Sequence, residues 1–105
     1  MIDDTIRAII AEAHLKPIEE RVILLHHGLL GSPRMTLAEM RALFQADETI
    51  TVKHISKEWI RQKQGTALYK MRGAMVRLHL DFATFKASCT EEPYRALCEV
   101  LIGLD

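Results

Sequence analysis

Two short stretches, Thr36-Leu-Ala-Glu39 and Ser56-Lys-Glu58, constrain the fold of this chain more than any other feature. A Thr or Ser placed just before a helix accepts a hydrogen bond from a backbone N–H that the helix itself leaves unpaired. A Glu three residues later can return the favour. Thr36 with Glu39 therefore predicts a helix start, and Leu37, Met40, Leu43 and Phe44 follow at helical spacing as its apolar face. Ser56 predicts a second start. Behind it Ile60, Ala67, Leu68, Met71, Met75 and Leu78 form a long apolar stripe, with Gly65 as its weakest point and an end either near Arg72 or well past it.

The rest of the chain reads as further helices. Asp3, Asp4 and Thr5 open a pattern of Ile2, Ile6, Ile9, Ile10 and Ala13, so a first helix is expected from about residue 3 to residue 14. Pro17 stands where a first-turn proline belongs, and a second helix should run to His27 and stop at Gly28. Residues Gly28 to Arg34 form a connector. Phe82 and Phe85 continue an apolar pattern, and Ser88 or Thr90 is expected to start a last helix that carries Pro93 in its first turn and buries Leu97, Val100, Leu101 and Leu104. Residues 45–55, QADETITVKHI, break the helical period and alternate β-branched with polar residues, which predicts a short strand or arm at 49–55. The expectation is one all-α domain over residues 1–105, a bundle of about five helices. A composition 49% hydrophobic and 27% charged gives it enough apolar surface to fold.

The net charge is zero, but the charges are not spread evenly. Residues 1–52 carry −3 and residues 78–105 carry −3, whereas Lys53, Lys57, Arg61, Lys63, Lys70, Arg72 and Arg77 stand against Glu58 alone and give residues 53–77 a charge of +6. Such a cluster is either a phosphate-binding face or a solvated helix surface. The longest apolar runs are too short to cross a bilayer. Cys89 and Cys98 form no disulfide framework, which fits a reduced cytoplasmic setting. His26 and His27 are adjacent and diverge on a helix, and the Cys and His spacings suggest no metal site or other cofactor. No Gly-rich phosphate loop or Cys–His motif points to an enzyme.

A helix closed by glycine, a connector, a helix opened by Thr-Leu-x-Glu and a cationic helix opened by Ser-Lys-Glu make a helix-turn-helix with the last helix as reader. Three segments carry a sharper likeness. KPIEERVILLHHGL, TLAEMRALF and SKEWIRQKQGTALYKMR resemble, in that order, the opening helix, the first helix-turn-helix helix and the recognition helix of region 4 of bacterial sigma factors, the domain that reads the promoter −35 element. The resemblance covers residues 15–72 and leaves 73–105 as a helical extension with no counterpart.

This resemblance implies double-stranded promoter DNA and RNA polymerase, through the flap of its β subunit, or a sigma subunit as partners. It implies base contacts by Lys57, Glu58, Arg61 and Gln62, where Arg or Lys donates to guanine and Glu accepts from cytosine. Lys53, His54, Lys63, Lys70 and Arg72, with Thr36 and Arg41 from the preceding helix, are the expected backbone contacts. A Glu58 pairing with Arg61 or Gln62 within the helix is the plainer account of those residues. The chain departs from the family in a turn roughly nine residues longer than the usual tight one, and 105 residues leave no room for a domain that opens the −10 element. The expected role is thus an activator, one half of a split sigma, or a regulator. Alternatively the fold is kept as an adaptor or antagonist of polymerase or of a sigma factor and reads no bases. Residues 73–105 either pack back on helix 1 or form a homodimer surface.

Overall fold

The computed structural model describes residues 2–103, which form six helices: α1 (Ile2–Ala13), α2 (Pro17–His27), α3 (Leu37–Gln45), α4 (Lys57–Arg77), α5 (Phe82–Ser88) and α6 (Glu92–Ile102). The chain is all-α. Leu104, expected on the buried side of the last helix, lies outside the described residues.

The helix ends follow local chemistry. Lys16 N–H donates to Glu19 Oε1 at 2.8 Å and Pro17 opens α2, which ends where Gly28 turns left-handed at φ 66°. A side chain is strained in that conformation, and a Cβ there would also meet Arg34 Cβ at 3.1 Å. Thr36 Oγ1 accepts from Glu39 N–H at 3.1 Å while Thr36 N–H donates to Glu39 Oε1 at 3.0 Å, so the expected capping box is closed. Ser56 Oγ accepts from Trp59 N–H at 3.0 Å and starts α4. That helix passes through Gly65 and Gly73 and continues to Arg77, so of the two expected ends the distant one is found.

Two apolar clusters share α4, whose 21 residues span about 31 Å. Its C-terminal half supplies Met71 and Met75 to a cluster with Ile6 and Ile9 of α1, Ile23 of α2, and Leu97 and Leu101 of α6. Its first turn supplies Ile60 to a smaller cluster with Val22 of α2, Met40 and Phe44 of α3, and Ile55 of the connector. Each such buried side chain contributes about 1.5–3 kcal/mol. Adjacent residues of α2, Val22 and Ile23, thus face different clusters, and the helix wedges between them.

Three expectations are corrected. The segment 49–55 forms no strand; β-branched alternation needs a partner strand, and the described residues offer none. The segment is instead tethered at its ends, where Asp47 accepts from the Thr49 backbone and hydroxyl at 2.9 and 2.6 Å and from Arg21 at 2.8 Å, and Ile55 is buried. The apolar pattern of Phe82 and Phe85 is a separate helix, α5, because Asp81 caps it by accepting from Ala83 N–H and the Thr84 hydroxyl. Ser88 ends that helix, and α6 begins after Glu91 with Pro93 in its first turn. Val100, expected inside, is 40% exposed. The extension folds back on the chain's own core. Phe85, Leu97 and Leu101 lie in the same cluster as α1, and Tyr94 donates its hydroxyl hydrogen to Asp3. Val76, Leu78 and Val100 of this segment remain exposed.

Candidate nucleic-acid interface

The exposed end of α4 is set by what holds its other side. Ile60 is buried in the smaller cluster, and Arg41 Nε donates to Ile55 O at 3.0 Å, fixing the connector just before the Ser56 cap. Lys57, Glu58, Arg61 and Gln62 are all exposed. At about 100° per residue they span roughly 140° of the helix circumference, away from Ile60. Glu58 Oε2 accepts from Arg61 Nη1 at 2.9 Å with both side chains more than 60% exposed, so the plainer pairing expected from the sequence is present. An ion pair this exposed is weak and exchanges readily for contacts with another molecule.

The expected backbone-contacting residues divide. Thr36 stands exposed at the N-terminus of α3, and Lys53 and His54 are exposed on the connector with no hydrogen bond or ion pair among the described residues. Arg41 is half-buried and its Nε holds the connector, which makes it a positioning residue for α4. Lys63 lies on a different flank, with Nζ 5.5 Å from the centroid of the half-buried Trp59 ring.

Lys70 and Arg72 leave the set. Lys70 Nζ donates to Glu19 Oε1 at 2.7 Å, and the Glu19 side chain is only 3% exposed. Burial alone raises the Glu19 pKa, but the hydrogen bonds from Lys70 and from Lys16 N–H outweigh it and hold the carboxyl below its usual value. Arg72 Nη1 donates to the carbonyls of Leu101 and Ile102 at the end of α6, where a cation suits the helix dipole, and its guanidinium lies 4.3 Å from the Phe82 ring centroid. Arg77, a member of the cation cluster, likewise donates to the Glu12 carboxylate and carbonyl at 3.0 Å each. Of the seven cations in 53–77, Lys70, Arg72 and Arg77 bond to other helices, whereas Lys53, Lys57, Arg61 and Lys63 have no such bond among the described residues.

Two surface features form only in the folded chain. Arg34 is exposed beside Thr36, with His26, Met35 and a cleft of about 410 Å³ between them; its position two residues before the cap was the available signal. A second cleft of about 460 Å³ lies between the start of α2, the connector and Trp59, with Ile18, Ile50 and Val52 as apolar walls and Lys16 and Arg21 on its rim. Nothing in a linear reading brings residues 16–21 to residues 49–52.

Comparisons with protein-family models, curated proteins and solved structures find no match. The residues themselves carry the functional argument. Among those described, no group of three or more His, Cys, Asp or Glu could hold a metal ion, and no helix is long and apolar enough to cross a membrane. Cys89 and Cys98 are buried free thiols, and burial pushes Cys89 up to about 12, where little thiolate forms at neutral pH.

Proposed function

We propose that this chain is a cytoplasmic transcription regulator that binds double-stranded promoter DNA in a sequence-specific manner and acts beside RNA polymerase, as the resemblance to sigma region 4 implies. The observation that carries the reading is the row Lys57, Glu58, Arg61 and Gln62, exposed at the N-terminal end of a capped helix whose opposite side is anchored by α2 and α3. Side chains in that position reach base edges when a helix enters the major groove. Arg61 would donate to guanine O6 and N7, and Glu58 would accept from cytosine N4. Thr36, Lys53 and His54 would meet the phosphates. A second reading, an adaptor or antagonist of polymerase or of a sigma factor that reads no bases, draws on the 460 Å³ cleft, since its connector wall offers an apolar surface beside the same helix.

Selection of duplexes from a random DNA pool, with a salt titration on the enriched and a scrambled sequence, tests the proposal. A DNA reader enriches a motif. On that motif Glu58→Ala and Arg61→Ala should each cost about 1–3 kcal/mol. Loss of Arg61 weakens specific and non-specific binding together. Loss of Glu58 relaxes sequence preference and leaves non-specific affinity equal or stronger. Variants that bind every sequence as the parent does would rule out base readout by α4 and favour the adaptor.

A further inference from the structure

Gly65 has no account in the fold of the chain alone. Glycine is the least favourable residue after proline in a helix interior, and α4 carries it at its ninth residue. A Cβ built at Gly65 meets nothing within 4 Å. Gly73, in the same helix, differs: a Cβ there would stand 3.2 Å from Arg77 Nη1, so its small size leaves room for the arginine that reaches Glu12. At Gly65 the free space opens outward, and the fold gains nothing from leaving it empty.

Gly65 shares a side of the helix with the residues proposed to read bases. Seven residues turn an α-helix by about 700°, which brings Gly65 to within about 20° of Glu58, and Tyr69, eleven residues on, also falls within about 20° of it. Tyr69 is 77% exposed, the most exposed large apolar side chain among the described residues. Between them Thr66 turns its hydroxyl back to donate to Gln62 O at 3.0 Å, which keeps the helix surface low around Gly65. Glu58, Gln62, Gly65 and Tyr69 therefore form a continuous ridge with a notch at its centre.

Resting on the DNA reading above, we propose that Gly65 and Tyr69 extend the interface onto the sugar–phosphate backbone: the missing side chain lets the middle of α4 approach one strand closely, and the Tyr69 hydroxyl donates to a phosphate of that strand. The dimensions agree. Gly65 lies about 10 Å and Tyr69 about 16 Å along the axis from Glu58, and the major groove is about 12 Å wide. The groove is about 8.5 Å deep, so with Glu58 at the base edges and α4 tilted across the groove, Gly65 comes level with the phosphate rim and Tyr69 reaches beyond it along the strand. Lys53, Lys57 and Arg61 give this end of the molecule the charge that draws such a strand. A contact of this kind positions the helix and carries no sequence information.

The test uses the full chain with Gly65→Ala and Tyr69→Phe, measuring thermal unfolding and affinity for the enriched and scrambled duplexes. Gly65→Ala should raise Tm by about 5 °C, because Ala is the better helix former, yet weaken binding to both duplexes by about five- to tenfold. Tyr69→Phe should leave Tm unchanged and weaken both duplexes by a similar factor. A neutral methylphosphonate at the contacted phosphate should weaken the parent and leave Tyr69→Phe unaffected. Gly65→Ala binding both duplexes as tightly as the parent would overturn the inference while the DNA reading stands. Weakening confined to the enriched duplex would also overturn it, since the ridge would then read bases. So would loss of a parent homodimer in sedimentation with DNA affinity intact, because the face would belong to a second copy. A parent that binds no duplex fails the function proposal itself, and this inference with it.

Discussion

Acid should unfold this protein through His27 before its carboxylates titrate. His27 is 8% exposed, its Nε2 is buried without a hydrogen-bond partner, and His26 and Arg34 stand beside it. Burial first, and then the charges of His26 and Arg34, lower its pKa from 6.5 to about 4. The unfolded chain therefore takes up a proton below pH 6.5 that the folded chain refuses until about pH 4. Stability is fully present above 6.5 and is lost as pH falls through that window. At 1.36 kcal/mol per tenfold change in proton-binding ratio, the loss is about 2 kcal/mol at pH 5 and about 3 kcal/mol at pH 4. His26, also lowered by burial and by Arg34, adds in the same direction. Glu19 and Asp47 have lowered pKa values, so their contributions are lost only at more acidic pH. Urea unfolding at pH 7 and pH 5 separates the histidines from the carboxylates. His27→Leu removes the unpartnered nitrogen, so it should be at least as stable as the parent at pH 7 and lose about 2 kcal/mol less on going to pH 5. A parent whose stability falls no more steeply than that of the variant would refute the argument.

The ion pair between α2 and α4 makes a second test. Lys70→Ala leaves the Glu19 carboxylate buried with only the Lys16 N–H to hold it, and should cost about 3 kcal/mol in chemical denaturation; a cost below 1 kcal/mol would mean that water replaces the lysine. Thr36→Ala breaks the α3 capping box and should cost about 1 kcal/mol by the same assay. The division of the cations predicts the salt dependence of DNA binding. Lys53→Ala should lower the slope of log affinity against log salt by about 0.9, whereas Lys70→Gln should leave the slope unchanged. An equal reduction by both would return Lys70 to the DNA face.

The sequence states its structure plainly where the physics is local. The Thr36–Glu39 box, the Ser56 cap, the Gly28 stop and the Pro17 start each depend on residues within a turn of one another, and each closes as the spacing predicts. The strand expected at 49–55 failed for the opposite reason. Its β-branched alternation describes a preference that only a partner strand could satisfy, and that partner would have to come from elsewhere in the chain. The short α5 is hard to see in the sequence, because Phe82 and Phe85 alone do not establish a period and the deciding residue is the cap Asp81.

The charge cluster shows the same division at the candidate site. In sequence the seven cations of 53–77 look equivalent, since only Glu58 lies among them. Their partners are remote: Glu19 is 51 residues from Lys70, Glu12 is 65 from Arg77, and the α6 carbonyls are about 30 from Arg72. What separates them is where α4 runs. Its first half leans on the small α2–α3 cluster and leaves its outer side to solvent, while its second half is surrounded by α1, α2 and α6, which supply acceptors. A cation at the buried end is drawn to a fold-internal acceptor, because an unpaired carboxylate or helix terminus there would be costly. A cation at the exposed end has no such acceptor and stays available. The helix thus divides one run of positive charge into a part that holds the bundle together and a part that another molecule can use, and the division falls between Lys63 and Lys70, about two turns apart along α4.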